Sequence, residues 1–260
     1  MTVSMIKTYF ARKVVKEFRC WIRNKRFRNS LSSVDISVDR LMVIAPHPDD
    51  ETIGAGGLIA MQRARSLPVS VVFLTKGEAS HLSCCGIDSA IVAARRQEQA
   101  KKAMACLGVN KEALYWLGLP DSGIPNDKHP AFKKTVEDLA GIIIQESPDA
   151  IFCTHPNDGW LDHTNAAQLV KTVSQQKGLK AKIYWYYIWA AFNLNHEKWK
   201  IFCHQPWGSL DISPVSESKM VALSAYFNDS PHTCGVPFAG RLPKMLLRMA
   251  KYNSECFLSW

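Results

Sequence analysis

The sequence predicts an α/β fold in which a mostly parallel sheet lies between two layers of helices, preceded by a basic N-terminal helix. Strand-like apolar runs alternate with longer helical segments from residue 41 to about residue 189. Such alternation is typical of parallel strands that are joined by crossover helices on both faces of a sheet. A length of 260 residues, 47% of them hydrophobic, fits one such domain of ordinary size.

The individual elements follow from the same patterns in chain order. The first strand, 41–45, is a run of five apolar residues that ends abruptly at Pro46. Four further strands are predicted at 69–75, 113–117, 150–154 and 182–189. Four helices are predicted at 51–65, 88–107, 130–146 and 163–176. The chain after about residue 190 is rich in Trp, Pro and His, and we expect it to be an irregular cap over the pocket.

Two patterns in these elements allow more than one interpretation. Gly54-x-Gly56-Gly57 follows a strand as a dinucleotide loop would, but it lies inside the predicted helix, so we expect close helix–sheet packing and no nucleotide cofactor. The aromatic run 184–189 is dense enough for a wall on which a sugar stacks. A buried strand is the alternative that we favour.

The basic residues are concentrated at the N-terminus. Residues 1–30 contain nine Lys and Arg against Glu17 alone, a net charge of +8, whereas the whole chain carries +9. Apolar residues recur there every four positions, at Ile6, Phe10, Val14, Phe18 and Ile22. We therefore divide the chain into a basic amphipathic extension, 1–35, and one domain, 36–260. The extension either lies on an anionic membrane or packs on the domain with a solvated basic face.

Several classes of protein are disfavoured by the sequence. No nucleic-acid recognition module accompanies the basic charge, so we expect no nucleic-acid partner. The eight cysteines are scattered without a C-x-x-C pair, and no cleavable signal sequence is present. No run approaches the ~20 apolar residues that span a bilayer. We expect reduced thiols and a cytoplasmic protein, with peripheral attachment to the inner face of the membrane as a further option.

The most informative segment is Pro46-His47-Pro48-Asp49-Asp50-Glu51, which places one imidazole and three carboxylates directly after the first strand. Buried carboxylates are costly unless they are paired or bound to a metal, so a divalent metal is the simplest explanation. We predict His47 and Asp50 as ligands. His163, after the strand 150–154, is the candidate for the third. Two histidines and one aspartate leave an open coordination position, as expected of catalytic zinc.

The remaining carboxylates receive other roles in this hypothesis. Asp49 is predicted to be the general base, because it is next to a ligand and the metal lowers the pKa of water. Asp162 is predicted to orient a ligand histidine by accepting its free N–H. The alternative for Asp49 or Asp50 is a helix cap, which accounts for neither His47 nor the second carboxylate. The alternative for His163 is a surface histidine.

From residue 41 to about residue 189 the chain resembles the PIG-L/LmbE-like family of zinc-dependent de-N-acetylases, which act on N-acetylglucosamine-type sugars. Beside the two segments above, the resemblance rests on four runs: Arg95-Arg96-Gln97-Glu98, Cys106-Leu107-Gly108-Val109, Leu117-Gly118-Leu119-Pro120-Asp121-Ser122-Gly123 and Glu255-Cys256-Phe257. It implies a Rossmann-like three-layer sandwich, one Zn²⁺ per chain, and contacts from Arg95 and Asp121 to the substrate. For Arg95, an intrahelical pair with Glu98 is the alternative.

One position departs from the family pattern. The second motif of the family is His-x-Asp-His, and the first histidine is replaced by Trp160 here. That histidine helps to polarise the amide in relatives, so either another residue takes over this acid role, with His155 and His232 as the candidates, or the catalysis is weaker.

The resemblance implies a zinc-dependent hydrolase that removes acetate from an N-acetylhexosamine carried on a nucleotide, lipid or glycan. The alternative from a different class is a non-catalytic module that binds a glycan or a membrane and retains the fold. The presence of all four residues His47, Asp49, Asp50 and His163 favours the enzyme.

Overall fold

The fold is described from a computed structural model, which covers residues 3–81, 86–227 and 244–260. The described residues form strands β1 (Ser32–Ser33), β2 (Leu41–Ala45), β3 (Val69–Thr75), β4 (Leu114–Leu119), β5 (Ala150–Thr154), β6 (Lys182–Tyr186), β7 (Gly208–Asp211) and β8 (Ser254–Ser259). Their helices are α1 (Val3–Asn29), α2 (Asp50–Ala64), α3 (Ser89–Cys106), α4 (Phe132–Glu146), α5 (Leu161–Lys177), α6 (Ala190–Asn193), α7 (His196–Cys203), α8 (Ser216–Phe227) and α9 (Lys244–Ala250). None of the helices in these ranges combines the length and apolar character that crossing a bilayer requires.

The strands form one sheet in the order β1-β7-β8-β6-β5-β2-β3-β4. All pairs are parallel except those of β8, which runs antiparallel to both β6 and β7. Helices cover both faces. Residues of α4, α5 and α7 pack on the face that carries Met42 and Ile44, and residues of α2, α3 and α8 pack on the face that carries Leu41 and Val43. The predicted three-layer α/β fold is confirmed.

The predicted strands and helices between residues 41 and 186 are present within a few residues of the expected bounds. The aromatic run 184–189 is mainly part of the core, because residues 185–188 are buried, although β6 ends at Tyr186 and both Tyr184 and Trp189 are half-buried. Gly54 serves close packing, since a Cβ at this position would lie 2.1 Å from the ring of Tyr186.

The expectation of an irregular segment after residue 190 is wrong for much of that segment. It contributes two strands, β7 and β8, and the long helix α8 that packs on α2 and α3. Hydrogen bonding explains part of this order. The buried carboxylate of Glu255 accepts the backbone N–H of Gly57 at 2.7 Å and of Leu58 at 2.9 Å, and the Nζ of Lys219 at 2.6 Å. These bonds join β8 and α8 to α2.

The second half of α1 packs on the domain. The guanidinium of Arg23 donates to the carbonyls of Ala190, Ala191 and Leu194 at 2.6–3.3 Å. Phe27 is only 5% exposed and belongs to the core cluster on the α4 and α5 face. The core therefore includes residues of the segment 1–35 that we assigned to an extension.

Candidate active site and metal centre

The predicted ligands meet at the carboxyl edge of the sheet. Strands β2 and β5 are parallel neighbours, so the loops that follow them leave from the same edge. Ligand sites of α/β sheets form beyond this edge. The loop after β2 carries His47 and leads to Asp50 at the start of α2, and the loop after β5 leads into α5 with His163. The segment after β4 adds Asp121 to the same place.

Three side chains converge on one point of this edge. The Oδ2 atom of Asp50 lies 3.1 Å from Nδ1 of His47 and 3.2 Å from Nε2 of His163. The ligand-type atoms of the three residues all lie within 4.8 Å of one another. Asp50 and His163 are buried, and His47 is partly buried. The structure thus brings together His47, Asp50 and His163, which we predicted as the ligand set.

The orientation of His163 is fixed by Asp158, which the sequence analysis did not single out. Asp158 Oδ2 lies 2.6 Å from Nδ1 of His163. The Asp158 carboxylate itself is held by the backbone N–H groups of Ile188, Trp189 and Ala190 at 2.9–3.1 Å. The carboxylate held in this way lies within hydrogen-bond distance of Nδ1 and accepts its ring N–H. Nε2 is then the nitrogen that faces Asp50.

His47 is oriented in the same way by the carboxylates on its other side. Its Nε2 lies 3.1 Å from Oδ2 of Asp162 and 3.2 Å from Oδ1 of Asp121. Asp162 is held in turn by the backbone N–H groups of Ser122 and Ile124, at 2.8 and 3.2 Å. Asp162 therefore contacts a ligand histidine, as its predicted orienting role requires. Asp121 also faces this histidine, and the predicted contact from Asp121 to a sugar stays a prediction.

These residues fit a divalent cation. His163 Nε2 is buried and has no hydrogen-bond partner among the described residues, although a carboxylate oxygen lies 3.2 Å away. Two imidazole lone pairs and a carboxylate that face one another need positive charge between them, and this donor set suits zinc. Burial lowers the pKa of His163, but Asp50 and Asp158 outweigh it and raise the pKa to about 9. The cluster thus attracts positive charge strongly.

A second group of possible ligands is His47, Asp121 and Asp162. Both carboxylates of this group face Nε2 of His47, whereas Nδ1 of this ring faces Asp50. We therefore assign Asp121 and Asp162 to the support of His47.

Asp49 occupies a strained position beside the ligands. Its φ of 117° is rare for a residue with a side chain and costs on the order of 1–3 kcal/mol. Its carboxylate makes no capping bond to α2 within the described chain, which argues against a simple helix cap. Instead, Oδ2 accepts a hydrogen bond from Arg96 Nη2 at 2.9 Å. Burial raises the pKa of Asp49 to about 6, with Arg96 acting in the opposite direction.

Glu51 holds the backbone of Asp49 in this conformation. The fully buried Glu51 carboxylate accepts the backbone N–H of Asp49 at 2.9 Å through Oε2. Its Oε1 accepts the hydroxyls of Thr52 at 2.5 Å and Tyr226 at 2.6 Å. Burial raises the pKa of Glu51 to about 7. These hydrogen bonds stabilise the strained backbone conformation of Asp49.

The arginine that contacts Asp49 is Arg96, and the predicted contact from Arg95 to the substrate stays a prediction. Arg96 is partly buried, donates to Asp49 and to the carbonyl of Pro48, and lies over the ring of Tyr226. Arg95, at the preceding position of α3, is exposed. Successive helical residues point about 100° apart, so the two adjacent arginines face different directions. The nearby Glu98 is also exposed and pairs with Lys101, not with Arg95.

The structure does not support the acid role considered for His155. Its ring packs against Phe202 and Trp207, its Nε2 lies 3.1 Å from Oε1 of Gln205, and Nδ1 accepts the backbone N–H of Asn157. Burial lowers the pKa of His155 to about 4, so this histidine is neutral near pH 7, and its one ring N–H faces the Gln205 oxygen. His232, the other candidate, lies outside the described residues.

Four residues of the site were missed from the sequence: Glu51, Arg96, Asp158 and Tyr226. Glu51 and Arg96 lie inside the motif segments named above, but the sequence there does not distinguish a buried side chain from an exposed one. Asp158 lies five residues before His163, and its position on the loop after β5 was the one available signal. For Tyr226 the sequence carries no signal, because its contact with Glu51 joins residues 175 positions apart.

Residues 42–174, just over half of the chain, match the family model described as PIG-L: GlcNAc-PI de-N-acetylase. The chain belongs to the PIG-L family. The resemblance inferred from the motifs is thereby confirmed.

Curated proteins similar to this PIG-L family chain include two enzymes named 1D-myo-inositol 2-acetamido-2-deoxy-alpha-D-glucopyranoside deacetylase. The one from Nocardia farcinica is 30% identical over 169 residues, which cover 56% of either chain. The one from Corynebacterium diphtheriae is 30% identical over 163 residues, 56% of this chain and 55% of the relative. The chain thus spans about half the length of the curated relatives it matches.

A solved structure with a similar fold is the N,N'-diacetylchitobiose deacetylase from Pyrococcus horikoshii. It superposes with a TM-score of 0.65 over 86% of this chain and 84% of that chain, at 22% sequence identity. At this identity the likeness establishes the fold alone.

Proposed function

We propose that the protein is a zinc-dependent hydrolase that removes the acetyl group from an N-acetylhexosamine carried on a nucleotide, lipid or glycan. The observation that carries this proposal is the convergence of His47 and His163 on Asp50, with the strained Asp49 directly beside it. The names of the two curated relatives, which deacetylate a glucosamine derivative linked to inositol, support the substrate class.

His47, Asp50 and His163 would hold one zinc ion. Bound there, zinc would lower the pKa of water and polarise the acetyl carbonyl. The proton transfers are carried out by side chains of the protein. Asp49 accepts the proton of the attacking water, and Arg96 keeps its carboxylate ionised and aimed.

The proton for the leaving amine needs a donor, because the indole N–H of Trp160 does not supply one. We propose that Asp49 returns the proton that it accepted. The pKa of about 6 that burial gives this carboxyl suits both transfers near neutral pH. His232 stays an alternative donor.

The competing hypothesis is a non-catalytic module, and acetate release separates the two. We would screen N-acetylhexosamine conjugates of nucleotides, lipids and glycans, with and without a chelator. An enzyme releases acetate from at least one conjugate and loses the activity on chelation. Binding of a conjugate with no acetate released under any metal condition would favour the module.

Exchange of Arg96 for glutamine is expected to shift the pH profile. Arg96 lowers the pKa of Asp49, so its loss raises that pKa, by about one unit or more. Because the base must be ionised, activity is lost as pH falls through its pKa, and the acidic limb of kcat/KM moves to higher pH. Arg95→Gln is the matched control. Equal profiles for the two variants would remove Arg96 from this role.

We also propose that the exposed middle of α1, residues 15–19, contacts an anionic membrane. Val15 and Phe18 are 49% and 53% exposed although they are apolar, and they alternate with the exposed cations Lys16 and Arg19. Such a mixed surface suits the headgroup region of an anionic bilayer. A cytoplasmic location at the inner face fits this proposal. The described cysteines are all free thiols, as in a reducing compartment.

Phe18→Asp is expected to abolish co-sedimentation with vesicles that contain anionic phospholipid. It removes apolar contact and adds a negative charge beside Lys16 and Arg19, while the packed end of α1 around Arg23 and Phe27 stays intact. Deletion of residues 1–30 would be a poor test, because it removes Phe27 from the core. Ile144→Asp, at a residue of α4 that is 57% exposed, is the control. Equal sedimentation of both variants and wild type would leave α1 as a packed helix only.

A further inference from the structure

Two tryptophans form an exposed aromatic pair beside the metal ligands. Trp160 stacks on Trp189 with ring centroids 5.4 Å apart and an angle of 28° between the rings. Trp160 is nevertheless 42% exposed, so much of its ring surface faces solvent. A large apolar surface left in water at the rim of a site is typical of a place where a ligand binds.

The pair is rigidly connected to the site. The backbone N–H of Trp189 donates to both oxygens of Asp158, at 3.0 and 3.1 Å, and Asp158 contacts His163. Trp160 precedes His163 by three residues at the start of α5. The turn before it requires Gly159, whose φ is 80° and whose position leaves no room for a Cβ next to Asn193. The two rings therefore keep a fixed position relative to the ligands.

We propose that Trp160 and Trp189 form a subsite for a saturated, hydroxylated six-membered ring joined to the N-acetylhexosamine. The ring would be a second hexose or a cyclitol. This inference rests on the proposed function. It names the residues that would bind the part of the substrate that the metal ligands do not contact.

The chemistry of the pair favours such a ring. The face of an indole is negative and flat, and the C–H groups on one face of a polyol ring are weakly positive, so the two surfaces are complementary. Hydroxyls around the ring edge need polar partners. Exposed amides are available at Asn157 and Asn193, the latter with its Nδ2 on the carbonyl of Gly159 at 3.1 Å. An alkyl chain would gain nothing from these amides.

The test compares kcat/KM for four substrates: N-acetylglucosamine, N,N'-diacetylchitobiose, N-acetylglucosaminyl-inositol and an octyl N-acetylglucosaminide. The wild-type enzyme should prefer one ring-bearing substrate over the monosaccharide, and the second and third substrates distinguish a hexose from a cyclitol. Trp160→Ala should reduce that preference about tenfold, chiefly through KM. Trp160→Phe should retain most of it and Trp160→Leu little. Leu161→Ala, at the adjacent residue that is 68% exposed, is the control.

Equilibrium binding gives a readout that does not need turnover. In the presence of a chelator, the preferred deacetylated product should bind the Trp160→Ala variant about tenfold more weakly than the wild type. If wild type hydrolyses the substrates but Trp160→Ala keeps both the preference and the affinity, the subsite is wrong and the proposed function stands. If no substrate is hydrolysed, the proposed function fails, and the binding comparison, made with the deacetylated forms of both ring-bearing substrates, alone decides the subsite. A preference for the octyl glycoside that Trp160→Leu retains would also overturn the proposal, in favour of an alkyl chain.

Discussion

Replacement of Asp49 by asparagine is expected to lower kcat about 10²- to 10⁴-fold while the metal stays bound. Asparagine has nearly the same volume and shape, but its amide cannot accept a proton from water. Asp49 lies outside the three-residue cluster around Asp50, so the loss of its charge leaves the ligands in place. Steady-state kinetics and metal analysis of the same preparation measure both effects.

Asp88→Asn is the matched control for Asp49→Asn. Asp88 also precedes a helix, and its carboxylate accepts the backbone N–H of Ala90 at 2.8 Å as an ordinary cap does. We expect no change in turnover from this exchange. Near wild-type turnover in Asp49→Asn would show that the strained aspartate is not the base.

The second large effect is expected from His163→Ala, which should lose the metal and with it the turnover. Removal of Nε2 leaves only His47 and Asp50, and two ligands hold zinc far more weakly than three. Asp158 keeps its three backbone N–H partners in this variant, so the loop after β5 should remain folded. Metal content after dialysis and a thermal melt measure the two outcomes separately.

His155→Ala provides a control of the same residue type at the same end of β5. His155 is buried like His163, but its ring nitrogens bond to Gln205 and to the backbone of Asn157. The control variant should keep stoichiometric zinc. Retention of zinc in His163→Ala would remove this histidine from the ligand set.

The core of the site could be predicted because it depends on short-range sequence and on one topological rule. His47, Asp49 and Asp50 follow an unmistakable buried strand, and the carboxyl edge of a parallel sheet is where such residues meet. The segment that contains His163 follows a second strand of the same kind. Because β2 and β5 are parallel neighbours in the sheet, the two segments lie next to each other at its carboxyl edge.

The residues that the sequence did not identify depend on side-chain direction or on distant contacts. Arg95 and Arg96 are adjacent and chemically identical, so the sequence alone does not show which of them contacts Asp49. Asp158 has its role because the chain returns at Ile188 and Trp189 to offer backbone N–H groups, which no local pattern indicates.

The C-terminal strand β8 was not predicted from the sequence for a similar reason. It is a short strand that lies antiparallel between β6 and β7, and its position depends on the hydrogen bonds from the backbone of α2 to the Glu255 carboxylate. The sequence identified Glu255 only through the family resemblance. Its physical role, a buried carboxylate shared by Lys219 and the backbone of α2, required the three-dimensional structure.

The most direct test of the central claim is a zinc titration of chelator-treated protein with acetate release as the readout. The substrate is the most active N-acetylhexosamine conjugate from the screen. Because His47, Asp50 and His163 form one cluster of three ligand-type side chains, we predict that activity rises in proportion to added zinc and stops rising at one equivalent per chain. Full activity in the metal-free protein, or no acetate released at one equivalent of zinc, would contradict the account.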